Sequence, residues 1–210
     1  MIIKKSMFVI AVLAMLSGLV SAADKKEAPA KPGATTLENL QTAYNGESNA
    51  KAKYDAYAAK AETEGYLGVA GLFRAASLSE SIHAAKHAKA ITALGGVPKA
   101  DVKTPEGKTT PENLKDAIKG ETYESKKMYP AFQKQAEADK NMQAMYSFKG
   151  ALAAEKMHLT YFSKALANLK DWKAKKKFLV CQVCGYTTMD MTIKVCPVCS
   201  SPRDKFTEVE

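Results

Sequence analysis

The run Thr-x-Glu-Asn-Leu-x-x-Ala-x-x-Gly-Glu occurs twice in this chain, at 36–47 and 110–121. Each copy is followed by a Glu-x-x-His, Glu80/His83 and Glu155/His158. The two runs are offset by 74 residues (110 − 36) and the two Glu-x-x-His pairs by 75 (155 − 80). A period of this size repeats a supersecondary unit, and the spacing makes that unit a helix pair. The fold is thereby constrained to two like halves that bring carboxylates and imidazoles together.

Local signals place four helices. Thr35 or Thr36 with Glu38 offers an N-cap and its capping-box partner. Leu40, Ala43, Glu47, Ala50, Tyr54, Ala58 and Ala61 then recur at helical spacing up to Gly65, predicting a helix over about 37–64. A second helix, about 67–94, carries Leu72, Ala76, Glu80, His83 and His87 on one face and stops at Gly95-Gly96. Gly, Pro, Lys and Thr make 95–110 a long connection, after which Thr110-Pro111-Glu112 restarts a helix, since Pro is well tolerated at a helix start. That third helix aligns Leu114, Ala117, Glu121, Glu124, Met128 and Phe132, with a kink expected at Pro130. A fourth, about 141–169, aligns Met145, Phe148, Leu152, Glu155, His158 and Phe162. Two hairpins joined by a long link predict an all-α four-helix bundle with one crossover.

Glu47, Glu80, Glu121, Glu124 and Glu155 all fall on the apolar stripes of their helices, away from the Lys-rich faces. An isolated buried carboxylate carries a penalty of several kcal/mol. Five in one core would exceed the ~5–15 kcal/mol net stability of a domain unless cations compensate them. Residues three apart share a helix face, so each Glu-x-x-His delivers an oxygen and a nitrogen to the same side. Two helices supplying Glu-x-x-His and two supplying carboxylates match the ligand arithmetic of di-iron and di-manganese carboxylate bundles. Surface ion pairs and satisfied core histidines are the plain structural alternative, but they leave the repeat unexplained. His87 has no counterpart in the second half and is read as a packing or hydrogen-bonding residue. Tyr54 and Tyr129 lie two turns beyond Glu47 and Glu121. They either pack the core or donate a hydrogen bond or proton to a species at the metals.

From Phe178 onward Cys, Gly and Pro punctuate segments too short for helices. Cys181-x-x-Cys184 and Cys196-x-x-Cys199 are two knuckles that use every cysteine in the protein, a pattern suited to tetrahedral thiolate coordination of one iron or zinc. Two disulfides are the alternative, made heavier if the chain is exported. Gly185 follows the first knuckle and can take positive φ; Ser200 stands at the equivalent place in the second, where that turn would be strained.

The first residues point to export. Lys4 and Lys5 precede the apolar run Met7–Leu16, and Val20-Ser21-Ala22-Ala23 follows, the order of a cleaved secretory signal. The apolar stretch is shorter than the ~20 residues that span a bilayer, which argues against an uncleaved anchor. Removing residues 1–22 takes two lysines from the formal +9 and leaves +7. The densest basic run, 173–177, lacks Arg and interleaved aromatics, so it reads as a solvated linker and nucleic acid is not expected as a partner. The expected organisation is a signal over 1–22, a flexible leader over 23–35, the bundle over 36–170, a linker over 171–177 and a four-cysteine metal domain over 178–210.

The ligand set followed by the cysteine domain resembles the rubrerythrins. Gly46-Glu47-Ser48, Gly120-Glu121-Thr122-Tyr123-Glu124, Met128-Tyr129-Pro130 and Cys196-Pro197-Val198-Cys199 carry the resemblance across about 36–210. It implies a ferritin-like bundle holding two irons and a rubredoxin-like domain holding one iron, with zinc as the alternative there. Glu80 and Glu155 would bridge the irons, Glu47, Glu121 and His158 would be terminal ligands, and Glu124 and His83 would exchange at one iron as the centre changes oxidation state. The four-cysteine iron would relay electrons from a redox protein to the di-iron site of a partner subunit in a head-to-tail homodimer. The implied activity is reduction of hydrogen peroxide to water, protecting against oxidative stress. The departures are the export signal, Ser200 for the usual glycine, and Ser77 and Ser79, where this helix would carry other small or acidic residues. Export would put the enzyme out of reach of a cytoplasmic NAD(P)H-dependent reductase and call for a periplasmic cytochrome or rubredoxin-like donor. An iron-binding or ferroxidase protein with structural zinc in the four-cysteine site is the alternative function, and an electron carrier or redox sensor a third.

Overall fold

The computed structural model describes residues 34–210; the expected signal and all of the leader before residue 34 lie outside the described residues. Helices α1 (Thr36–Thr63) and α2 (Leu67–Ala93) form the first hairpin. The third leg is α3 (Thr110–Tyr123), a π-helical turn over Glu124–Met128, and α4 (Tyr129–Ala138); α5 (Met142–Ala167) is the fourth. Thr35 and Thr109 each close a capping box, with Glu38 and Glu112, so both halves start by the same device.

The repeat is visible in the tertiary contacts. The backbone N–H of Thr36 donates to Asp139 at the end of α4 (3.3 Å), and the backbone N–H of Thr110 donates to Glu64 at the end of α1 (2.9 Å). These are the same contact made twice about a pseudo-twofold axis. Both hairpin turns need a left-handed residue, supplied by Gly65 (φ +77°) in the first and Lys140 (φ +53°) in the second.

The kink expected at Pro130 takes another form. The π turn ends just before Tyr129–Pro130, and the Tyr129 N–H reaches back five residues to the Glu124 carbonyl. Pro130 has no N–H for the Lys126 carbonyl, and the wider turn absorbs one extra residue. This insertion changes the repeat offset from 74 at Glu47/Glu121 to 75 at Tyr54/Tyr129.

Two apolar clusters fill the bundle. One holds Tyr54, Phe73, Ala76, Ala117 and Phe162; the other holds Ala43, Ala90, Met128, Phe148 and Ala151. On every leg the candidate ligands lie in sequence between a residue of one cluster and a residue of the other. The carboxylates are thus a polar layer between two dry layers.

After a 3-10 turn (Leu169–Trp172) the chain forms a small antiparallel sheet of β1 (Phe178–Cys181), β2 (Thr187–Thr188) and β3 (Phe206–Val209), in the order β2-β1-β3. Run 173–177 keeps most of its lysine side chains in solvent, as a linker would, but its backbone is docked: Lys173 O accepts from Leu67 N at 3.2 Å. Gly68 makes room for it, since a Cβ there would lie 2.6 Å from Ala174 O. Buried Trp172 stacks on Phe178, which also meets Tyr161 edge-on, so the small domain is fastened to α2 and α5.

Candidate metal centres

Six residues on four legs form two overlapping groups, each of which could hold a metal. One group comprises Glu47, Glu80, His83 and Glu155, and a second comprises Glu80, Glu121, Glu155 and His158; within each, the ligand atoms lie within 4.8 Å of one another. Glu80 and Glu155 belong to both groups, which places them between two metal positions. His83 Nδ1 faces Glu80 Oε2 (3.0 Å), Glu155 Oε1 (3.2 Å) and Glu47 Oε1 (3.6 Å). His158 Nδ1 faces Glu155 Oε2 (2.8 Å), Glu80 Oε1 (3.3 Å) and Glu121 Oε1 (3.7 Å). All six are buried.

Burial pushes these carboxyl groups up, and repulsion adds to it. Glu80 is raised to about 7, with Glu155 and Glu47 as neighbours, and Glu121 to about 8, with Glu155. Burial acts likewise on Glu47 and Glu155, but His83 and His87 hold the first below the carboxylate range, and His83 and His158 lower the second. Burial opposes charge on both ligand histidines, yet Glu155 and Glu47 lift His83, and Glu80 lifts His158, well above the ordinary imidazole value. Protons and imidazolium thus stand in for cations.

The cluster's unsatisfied atoms test the fit of a metal pair. Among the described residues, seven buried side-chain polar atoms lack a hydrogen-bond partner, and six of them are here: Glu47 Oε2, Glu80 Oε1, Glu121 Oε2, both Glu155 oxygens and His158 Nδ1. Native cores satisfy such atoms. Two cations at the shared carboxylates would use them all, so the residues fit the group.

The tyrosines are hydrogen-bonded across the repeat. Tyr54 Oη donates to Glu121 and Tyr129 Oη donates to Glu47, each phenol serving the carboxylate of the other half. Burial, then the carboxylates, raise both phenols well above their ordinary value, so both stay protonated. His87 makes hydrogen bonds as read from the sequence: its Nε2 lies 3.1 Å from Tyr129 Oη and its Nδ1 2.8 Å from Ser147 Oγ. Glu124 stands apart. It is the most exposed of the five carboxylates, at 8 %, and is in neither group of ligand atoms. Burial, then Glu47 and Glu121, raise its carboxyl well above the usual range.

In the small domain Cys181 Sγ lies 3.6 Å from Cys199 Sγ, and Cys184 Sγ 3.5 Å from Cys196 Sγ. A disulfide needs ~2.05 Å; thiolates tetrahedral about a metal at ~2.3 Å sit roughly 3.8 Å apart. The arrangement is that of a metal site. The two knuckles turn alike, with Gly185 N donating to Cys181 O (2.8 Å) and Ser200 N to Cys196 O (2.9 Å). Gly185 has φ +80° and Ser200 φ +60°, the strain foreseen at the serine.

The first knuckle lies on the bundle of its own chain. Gly150 of α5 leaves room for it, a Cβ there meeting Cys184 O at 3.1 Å, and a Cβ on Gly185 would collide with His83 Nε2. The Ser79 hydroxyl donates to Gly185 O (2.7 Å), and His158 Nε2 lies 3.1 Å from Thr187 Oγ1. Within the single chain described, the four-cysteine domain already reaches both candidate ligand histidines. Spacing marks neither Ser79 nor Thr187 as part of the site, because only the docking of the two domains brings them there.

Comparison with known proteins agrees with this geometry. The family model described as rubrerythrin matches residues 38–166, and that described as the rubredoxin-like domain of rubrerythrin matches 180–207. Nigerythrin of Nitratidesulfovibrio vulgaris is 36% identical over 174 residues, covering 82% of this chain and 86% of that protein. Rubrerythrin-2 of Clostridium acetobutylicum is 36% identical over 176 residues, covering 82% and 96%. The structure of fully reduced, all-ferrous nigerythrin superposes with a TM-score of 0.79 at 34% identity, covering 86% of this chain and 89% of that one. A Desulfovibrio desulfuricans bacterioferritin, at 22% identity and a TM-score of 0.59, shares the bundle fold alone. A ferritin-like bundle with a paired-metal carboxylate site, carrying a four-cysteine domain on its ligand histidines, makes this chain a member of the rubrerythrin family.

Proposed function

We propose that this protein is an oxidoreductase that reduces hydrogen peroxide to water, the overall change being H2O2 + 2 e⁻ + 2 H⁺ → 2 H2O. The observation that carries the reading is the contact between the four-cysteine domain and the two candidate ligand histidines, at Gly185 for His83 and at Thr187 for His158, which a storage protein has no use for. Iron at the two sites would supply Lewis acidity and electrons. Glu80 and Glu155 would hold the metal pair, with Glu47, Glu121, His83 and His158 completing it. Tyr54 and Tyr129 keep their protons and present them at Oη to the two terminal carboxylates, so they hold proton donors beside the place where oxygen charge develops. Glu124, near the metals but outside the ligand groups, is a carboxyl able to carry a proton or to become a ligand. The dry layers on either side exclude bulk water from the chemistry.

Iron in the four-cysteine site would receive electrons singly from a redox protein and pass them on within the chain, so this reading does not require a head-to-tail dimer. The purified, iron-loaded and reduced protein should consume peroxide far faster than a Glu80→Ala/Glu155→Ala variant; equal rates would refute the proposal. A visible spectrum of native protein decides the four-cysteine metal, since ferric thiolate absorbs strongly and zinc does not. Colourless, zinc-bearing protein would favour the ferroxidase alternative. We also assign residues 1–22 to a cleaved export signal and the mature protein to the periplasm. Intact-mass measurement that finds Met1 retained would overturn that assignment.

A further inference from the structure

The Gly185 carbonyl collects two hydroxyl groups. Ser79 Oγ–H donates to it from α2 (2.7 Å), and Thr187 Oγ–H donates to it from β2 (3.1 Å). Both hydroxyl groups also touch a ligand histidine on the nitrogen turned away from the metals: Thr187 Oγ1 lies 3.1 Å from His158 Nε2 and Ser79 Oγ 3.4 Å from His83 Nε2. Ser79, Thr187 and both histidines are all at 0% exposure, so water cannot replace these partners.

A carbonyl oxygen can only accept, so each hydroxyl proton is committed to Gly185 O. What remains for the histidines is hydroxyl oxygen lone pairs, which only a ring N–H can satisfy. Each Nε2 must then carry a proton, so that when a metal displaces the proton on the other nitrogen, the Nδ1 lone pair of His83 and of His158 is directed at the carboxylate layer, where both Nδ1 atoms lie. The hydrogen bond on one ring nitrogen fixes what the other can do, and partners of this kind are worth 10–100-fold in metal affinity.

We propose that Ser79 and Thr187 are positioning residues that set the tautomer and orientation of His83 and His158 through the Gly185 carbonyl, so that the docked four-cysteine domain completes the ligand field of the paired-metal site. The domain thus has a second role beside electron relay, and that role persists when zinc replaces iron in its thiolates. The inference rests on the metal reading of the Glu/His cluster and on nothing about peroxide.

The test is cobalt(II) binding at the paired site, followed by visible absorption in full-length protein whose four thiolates already hold zinc. Thr187→Val should weaken binding by ~10-fold or more. Ser79→Ala should weaken it less, because its contact with the histidine is longer, and Thr187→Ser should restore wild-type affinity. Binding within twofold of wild type in both Thr187→Val and Ser79→Ala would overturn the inference. A wild-type protein that takes up no cobalt at all would instead refute the metal reading beneath it. A further measurement does not depend on any variant folding: nitrogen-15 NMR of wild type with zinc in both the four thiolates and the paired site should show both ligand imidazoles protonated at Nε2 and slow to exchange. Protonation at Nδ1 in either would overturn the proposal.

Discussion

Single residues at the knuckle separate backbone strain from contact. Gly185 and Gly65 share nearly the same positive φ, +80° and +77°, but nothing lies within 4 Å of a Cβ at Gly65, whereas one at Gly185 would meet His83 and Ser79. A non-glycine residue in this region costs ~1–2 kcal/mol. Gly65→Ala should therefore lower stability by about that much and leave metal binding alone. Gly185→Ala should cost more and also weaken cobalt binding at the paired site, because the knuckle must back away from the histidine. Equal effects of the two on stability and on cobalt affinity would contradict the docking described here. Ser200 (φ +60°) gives the converse case. Ser200→Gly relieves the turn but loosens the unfolded chain by about 0.4–1 kcal/mol, so thermal melts should show a gain of at most ~1.6 kcal/mol. Both positions were readable from the chain as the residues after each Cys-x-x-Cys. The contact with His83 was not, because spacing along a chain carries no information on how two domains dock.

At the scale of elements, the helices follow their caps and stripes, and expected ends over about 37–64 and 67–94 became Thr36–Thr63 and Leu67–Ala93. The π turn is where periodicity ran out. Glu121 and Glu124 sit on a stripe that an ordinary helix would also show, and Pro130 suggested a kink. The extra residue left its mark only as the change in offset from 74 to 75. Its consequence is specific: Glu47 and Tyr54 are seven residues apart, Glu121 and Tyr129 eight, yet both tyrosines reach a carboxylate of the other half. Deleting exposed Lys126 restores the seven-residue spacing. The bundle should still fold, with Tyr129 kept inward as Tyr54 is, while Glu124 is re-aimed as its counterpart Ala50 would be. Cobalt titration should then show the two metal positions filling with more widely separated affinities than in wild type. Unchanged binding curves would mean that the wide turn does not serve the site.

For the whole molecule, the metal site makes stability depend on pH in a direction opposite to that of a common acid-sensitive protein. Glu80 and Glu121 rise from 4.5 to about 7 and about 8 on folding without metal, so the folded state holds their protons where the unfolded chain has released them. Their stabilisation is full below pH ~4.5 and is lost as pH rises through 7–8. His83 and His158, also raised, add stability that is full below the ordinary imidazole value and lost as pH climbs through their folded values. Glu47 and Glu155, both lowered, contribute above the usual carboxyl range and lose that contribution in acid, so they bound the window from below. Cys181, held at about 5 by Cys184, would oppose the trend, so zinc must occupy the four thiolates during the measurement. Under those conditions the protein without metal in its bundle should melt more than ~4 °C lower at pH 8.5 than at pH 5.5, above about 1 kcal/mol for a chain of this size. Metals displace the same protons, so filling the paired site should reverse the slope, with affinity and Tm both rising toward pH 8. A Tm that rises with pH in the metal-free bundle would mean that the carboxylates are not gathered as described, whatever the chemistry they serve.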